Sequence, residues 1–205
     1  MDANIPMSWG TAIISHLSQR RGYSAAWLLS MWPREFDDGT EVFAGFWTGK
    51  DDRAFTVGGV SRTFYGKQGD IGIPPITYEK GLTPLQYQFR LPLTPEVNAA
   101  LRGYRTENAR FELHGAVFDP TTMGLVGVSE SPFIDGFIDG APIHLGEIGG
   151  QSYAGLAVVS SAVVGTVTSA GDKSDAAQRR RNANDRLREF SALGTVPSDP
   201  WGGKE

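Results

Sequence analysis

Leu85-Gln86-Tyr87-Gln88-Phe89-Arg90-Leu91 alternates apolar and polar residues without a break. Strict period-two alternation over this length marks a strand lying on a sheet. Leu85, Tyr87, Phe89 and Leu91 turn to a core, while Gln86, Gln88 and Arg90 meet water or a partner. A mainly β fold follows if the neighbouring segments read the same way.

Upstream they do. From Tyr23 the chain again has period two, with Ala25, Trp27, Leu29 and Met31 on one side and Ala26, Leu28, Ser30 and Trp32 on the other. Both sides are apolar, which predicts a strand covered on both faces. Asp38-Gly39, between Phe36 and Val42-Phe43-Ala44-Gly45-Phe46-Trp47, supplies the pair that a two-residue hairpin loop needs. Gly58-Gly59 joins residues 54–57 to 60–65 by the same steric reasoning. Ahead of these strands, residues 8–20 allow a short helix, with Ser8 as its cap and Ile13, Ile14 and Leu17 on one side.

Downstream, one helix is well marked. Thr94 caps it, Pro95 suits its first turn, Glu96 complements the helix dipole, Val97, Ala100 and Leu101 form an inward stripe, and Gly103 stops it. Strands are expected near residues 110–118, 133–138 and 156–168, separated by loops at Asp119-Pro120-Thr121-Thr122 and Gly149-Gly150-Gln151. The one composition shift, near Gly171, divides the chain into an N-terminal arm or short helix (1–22), a β body (23–171) and a hydrophilic tail (172–205).

With 205 residues the chain is long enough to bury a real core. Its net charge of −4 gives no global attraction to nucleic acid or anionic membrane, and the one dense basic run is Arg179-Arg180-Arg181. Cysteine is absent, which excludes disulfides, thiolate catalysis and cysteine-zinc sites. The start carries no basic segment followed by an apolar one, and no stretch approaches the ~18 apolar residues of a membrane span. Synthesis and folding in a cytoplasm, with no membrane insertion, are therefore expected.

Chemistry-bearing residues are sparse. His114 with Asp119, and His144 with Asp135 and Asp139, could be drawn as a metal site, but the short His pairing of known metal motifs is missing. Asp135-Gly136 and Asp139-Gly140 read better as turn residues than as a calcium loop. Gly127-Val128-Ser129-Glu130-Ser131 lacks the second glycine of a nucleophile elbow, and no segment has the order of a phosphate loop. The expectation is a non-enzyme with no catalytic residue, metal or cofactor. Most aromatic residues fall at strand periodicity and read as core, whereas Trp201 lies among Gly, Pro, Ser and Asp and reads as an anchor in another subunit or back on its own sheet.

The tail is the most distinctive part. Asp175-x-x-Gln178-x-x-Arg181, a spacer, Asp185-Arg186 and a terminal Trp201-Gly202 resemble the end of small tail-tip proteins of long-tailed bacteriophages. The body is similar to the same family in the order of its parts. These are Phe43-x-Gly45-x-Trp47, Gly69-Asp70-Ile71 to Pro75-Ile76, Glu79-Lys80-Gly81-Leu82 and the strand from Gln86 to Leu93. Leu101-Arg102-Gly103-Tyr104, Phe111-Glu112-Leu113-His114 and residues 133–139 follow. The match is weakest before Gly22 and after Gly194.

The resemblance implies a β-sandwich or barrel of the tail-tube-like type with one or two short flanking helices. It further implies a structural subunit, either the distal tail protein or the hub, that closes with itself into a six-fold or three-fold ring in the virion and docks the tail tube and tip or fibre proteins. Gln178, Arg179, Arg180, Arg181, Asp185, Arg186 and Trp201 are then subunit-interface residues, with the arginines meeting carboxylates of a neighbour. The competing reading is a monomeric β-sandwich that binds or cleaves cell-envelope polysaccharide.

Overall fold

In the computed structural model of the chain, residues 9–20, 22–66, 71–77, 84–147 and 150–162 are described, together with Val164 and Arg179. The chain divides into two compact units, Met1–Val163 and Val164–Glu205.

The doubly apolar strand is β1 (Ser24–Arg34), and it lies between β2 (Ala44–Trp47) and the fourteen-residue β6 (Arg105–Phe118). Beyond β6 the sheet continues through β8 (Ile134–Gly140) and β10 (Tyr153–Ser160) to β5 (Gln86–Pro92). Every pairing along this path is antiparallel, and the sheet curls into a half-barrel. Two short strands join from the side: β7 (Leu125–Val128) on β6 and β9 (Ile143–His144) on β10. A separate hairpin is formed by β3 (Arg53–Val57) and β4 (Val60–Phe64).

Both faces of β1 are indeed covered. Leu29 and Met31 join the main core with Phe89, Phe111, Leu113, Ile138 and Leu156, whereas Ala26 and Leu28 face a second cluster made with Phe55, Val57 and Phe64 of the β3–β4 hairpin. Phe89 and Phe111 meet at 4.9 Å between ring centroids, so β5 and β6, three places apart in the sheet, are tied through their side chains. Full burial of each such side chain stabilises the fold by ~1.5–3 kcal/mol.

β5 has the burial alternation its sequence dictates: Tyr87, Phe89 and Leu91 are buried, and Gln86, Gln88 and Arg90 are exposed. The second helix, α2 (Pro95–Arg102), also follows its signals. Val97 N–H donates to the Thr94 hydroxyl, and Val97, Ala100 and Leu101 are buried. Gly58 and Gly59 have φ of 58° and 79°, so the β3–β4 hairpin turns in two residues through the left-handed region, as the pair predicts.

Other expectations need correction. The β1–β2 connection is not a two-residue turn at Asp38-Gly39. Arg34 bridges Glu41, and Glu35 N–H donates to Thr40 across a loop of residues 35–40, in which Asp38 caps the Thr40 N–H. β6 begins at Arg105, ahead of the expected residue 110, with Asn108 at φ 57° inside an irregular stretch opposite β1. Asn tolerates that conformation better than most side chains, and the alternation is interrupted there. The last expected strand, 156–168, instead starts at Tyr153 and ends at Ser160; Ala162 and Val164 are helical, and residues 165–168 lie outside the described ones.

The first helix, α1 (Thr11–Ser18), starts from Gly10, whose carbonyl accepts Ile14 N–H. Of its expected inward residues, Ile13 is buried, Leu17 is half-buried and Ile14 is exposed. Ser8 lies outside the described residues.

Candidate functional site

Polar burial is concentrated on β6. Alternation sends Phe111 and Leu113 into the main core and Glu112 and His114 to the opposite face, where they stand across from Ser30 and Leu28 of β1. Ser129, just past β7, is brought alongside when its N–H donates to Gly115 carbonyl at 2.8 Å. Glu112, His114 and Ser129 are all buried, at 8%, 2% and 4% exposure.

They form one chain of contacts. His114 Nε2 is 3.2 Å from Glu112 Oε2, and its Nδ1 is 3.2 Å from Ser129 Oγ and 3.3 Å from Ser129 carbonyl. Gly115 N–H donates to Ser129 Oγ at 3.1 Å, and Arg110 pairs with the other oxygen of Glu112. With its oxygen accepting from Gly115, Ser129 can donate its own proton to Nδ1, and the neutral imidazole then donates Nε2–H to Glu112. The imidazolium is equally well served, giving one N–H to Ser129 carbonyl and one to Glu112.

The hydrogen bond from His114 holds the Glu112 carboxyl below its ordinary range. Burial opposes that shift, and the positive charges of Arg110, His114 and Arg62 add to it.

A serine, a histidine and a carboxylate in hydrogen-bond order are also the parts of an acyl-transfer relay. Such chemistry needs the serine oxygen in contact with a substrate carbonyl. Ser129 is only 4% exposed and its oxygen accepts a main-chain N–H, so the set serves to cross-tie β6 to the segment after β7. Above it, Trp32 receives two guanidinium groups, Arg62 at 5.5 Å and Arg110 at 5.1 Å, and Arg62 also lies 5.0 Å from the Phe43 ring. These cation–π contacts fasten the hairpin to the sheet at the rim of the buried polar set.

The residues weighed as metal ligands do not converge. His114 is committed as above, and Asp119 accepts the N–H groups of Thr121 and Thr122, which keeps its carboxyl below the ordinary range. Asp135 and Asp139 are exposed on β8, and His144 stacks on Tyr153 with ring centroids 4.6 Å apart. Among the described residues no three potential ligands cluster.

Of the expected interface set, Arg179 is helical and exposed. Gln178, Arg180, Arg181, Asp185, Arg186 and Trp201 lie outside the described residues. Sequence reading passed over Glu112 and Ser129 as partners of His114. Glu112 and His114 share strand parity, a detectable signal, but the approach of Ser129 depends on β6–β7 pairing.

Three clefts stand out among the described residues. One, of about 360 Å³, is walled by Trp47, Phe118, Met123 and the loop of residues 48–52. The second, of about 630 Å³, opens between β5 and β10 beside Arg90 and Tyr153. The third, of about 420 Å³, lies between β2 and α2. No family model matches this chain, and no curated protein matches it.

Proposed function

We propose that this protein is a non-enzymatic structural subunit of a phage tail tip or baseplate, a distal tail protein or hub whose curled sheet is of the tail-tube type. In this reading it closes with copies of itself into a ring, continues the tail tube and offers docking surfaces to tip or fibre proteins. The observation that carries it is the ordered run of resembling segments in the sequence. Its support in the fold is that the resembling body segments include β2, β5, α2, β6 and β8, elements that build one core.

A curled sheet with two ends suits repetition of one heterologous contact until the rotation closes. The tail residues Gln178 to Arg181, Asp185, Arg186 and Trp201 are assigned to that contact, with arginine forks meeting carboxylates of the neighbour. The sealed position of Ser129 favours a scaffold over a hydrolase.

The test is an electron micrograph of the intact particle carrying a tag on this subunit, together with an assay for hydrolysis of envelope polysaccharide. The reading expects label at the tip of the tail and no hydrolysis. Absence of label from particles, or glycan cleavage by the pure protein, would replace it with the polysaccharide-active alternative.

A further inference from the structure

The 630 Å³ cleft beside β5 is lined by Arg90 and Tyr153, and His144 stands behind Tyr153. Arg90 of β5, Tyr153 of β10 and His144 of β9 lie side by side. The Arg90 guanidinium is 5.3 Å from the Tyr153 ring centroid, and the His144 ring stacks on the same ring at 4.6 Å with 23° between planes. Pairing places them there: Tyr153 is the register partner of both Pro92 and His144, and Arg90 lies on the diagonal next to it. The row carries several hydrogen-bond donors, the guanidinium N–H groups and the phenol O–H, with an imidazole beside them.

Arg90 is tied through its backbone on both edges of β5. Its main chain exchanges two hydrogen bonds with Gly72, at 2.8 and 3.0 Å, on the side away from β10. A Cβ on Gly72 would come within 3.1 Å of the Arg90 Cβ, so the close approach suits glycine. Among the described residues, no carboxylate pairs with the Arg90 guanidinium, and no hydrogen-bond partner meets the Tyr153 hydroxyl. The other polar groups of the cleft differ: the Thr94 hydroxyl is committed to Val97 N–H and the Ser152 hydroxyl to Gly146 N–H, while the Gln151 residue is exposed at the mouth.

The geometry points to a binding site for an oxyanion carried on a polyol or sugar. The planar guanidinium fork matches two oxygens of a phosphate or carboxylate, Tyr153 and Gln151 offer hydrogen bonds to adjacent hydroxyls, and the volume suits a ligand of one or two sugar-sized units. Such groups recur along envelope polymers, so a subunit with this cleft would hold its particle or itself against a charged glycan. The site needs no catalytic group and stands whether or not the protein forms a ring.

The test is calorimetric titration of the full chain with two probes, a short poly(glycerol phosphate) and a short oligoglucuronate, with neutral dextran oligomers as the control. Binding of either charged probe at one site per chain is expected; which one binds tells whether phosphate or carboxylate is the group recognised. Arg90→Gln should weaken it at least tenfold and Tyr153→Phe by a smaller factor. Arg34→Gln, which removes an arginine already paired with Glu41, should leave it unchanged. All three variants alter exposed or half-buried side chains and should melt as the parent does. Silence with both charged probes, equal binding of the neutral oligomer, or binding indifferent to Arg90→Gln overturns the inference.

Discussion

Tyr87 and Gln88 are neighbours in the chain and opposites in environment: Tyr87 is buried, with its hydroxyl donating to Thr77 carbonyl at 3.1 Å, and Gln88 is exposed. Tyr87→Asp puts an unpaired carboxylate in the main core at a cost of several kcal/mol and should unfold the protein, as followed by circular dichroism. Gln88→Asp should change stability by no more than about 0.5 kcal/mol, and the opposite outcome would place β5 one residue out of register.

Glu112 gives a second residue-level expectation. Its folded-state value lies below the ordinary 4.5, so its contribution is present above that pH and is lost as pH falls through the lower folded value. Melting temperature should therefore drop on acidification below about pH 4.5, and less steeply in Glu112→Gln. That variant should also be weaker at neutral pH by ~1–3 kcal/mol, because the charge-assisted bonds from His114 and Arg110 are lost. An identical acid profile for parent and variant would show that Glu112 is not among the groups that set it.

At the scale of elements, the β3–β4 hairpin is the piece that closes the second core. Phe55 is 1% exposed and packs edge-on against Trp47 and Phe64, at 5.1 and 5.5 Å between centroids. Phe55→Ala should cost ~3–5 kcal/mol in chemical denaturation, more than any exposed change on the same hairpin. A loss below 1 kcal/mol would mean that the hairpin is not coupled to the sheet.

This hairpin, β5 and α2 were legible in the chain because each has a local signal, namely a glycine pair, strict alternation, or a cap with a stripe. β7 was not, since Leu125-Val126-Gly127-Val128 is too short to show a period and takes its place only by pairing with β6. The end of β10 was overrun because the sequence stays apolar past Ser161, whereas Ala162 and Val164 are helical. For the same reason the Glu112–His114–Ser129 set was hidden: it depends on long-range register, whereas sequence reading had linked His114 to Asp119 by proximity along the chain. The Arg90–Tyr153 contact likewise exists only once β5 and β10 are paired.

For the whole molecule, the proposed function requires assembly. Reversing Arg179, Arg180 and Arg181 to Glu should leave the melting of the sheet unit unchanged while preventing ring closure or docking, because three attractions become repulsions worth several kcal/mol across an interface. Infective particles formed at the parental level by a phage complemented with this variant would show that the arginines make no such contact. The most direct measurement is the native mass of the purified full chain over a wide concentration range. A closed ring predicts a single discrete multiple of the 22.2 kDa chain, six copies favoured and three allowed, that keeps its stoichiometry over the range. A mass of one chain at every concentration would contradict the ring and leave the protein a monomeric β module.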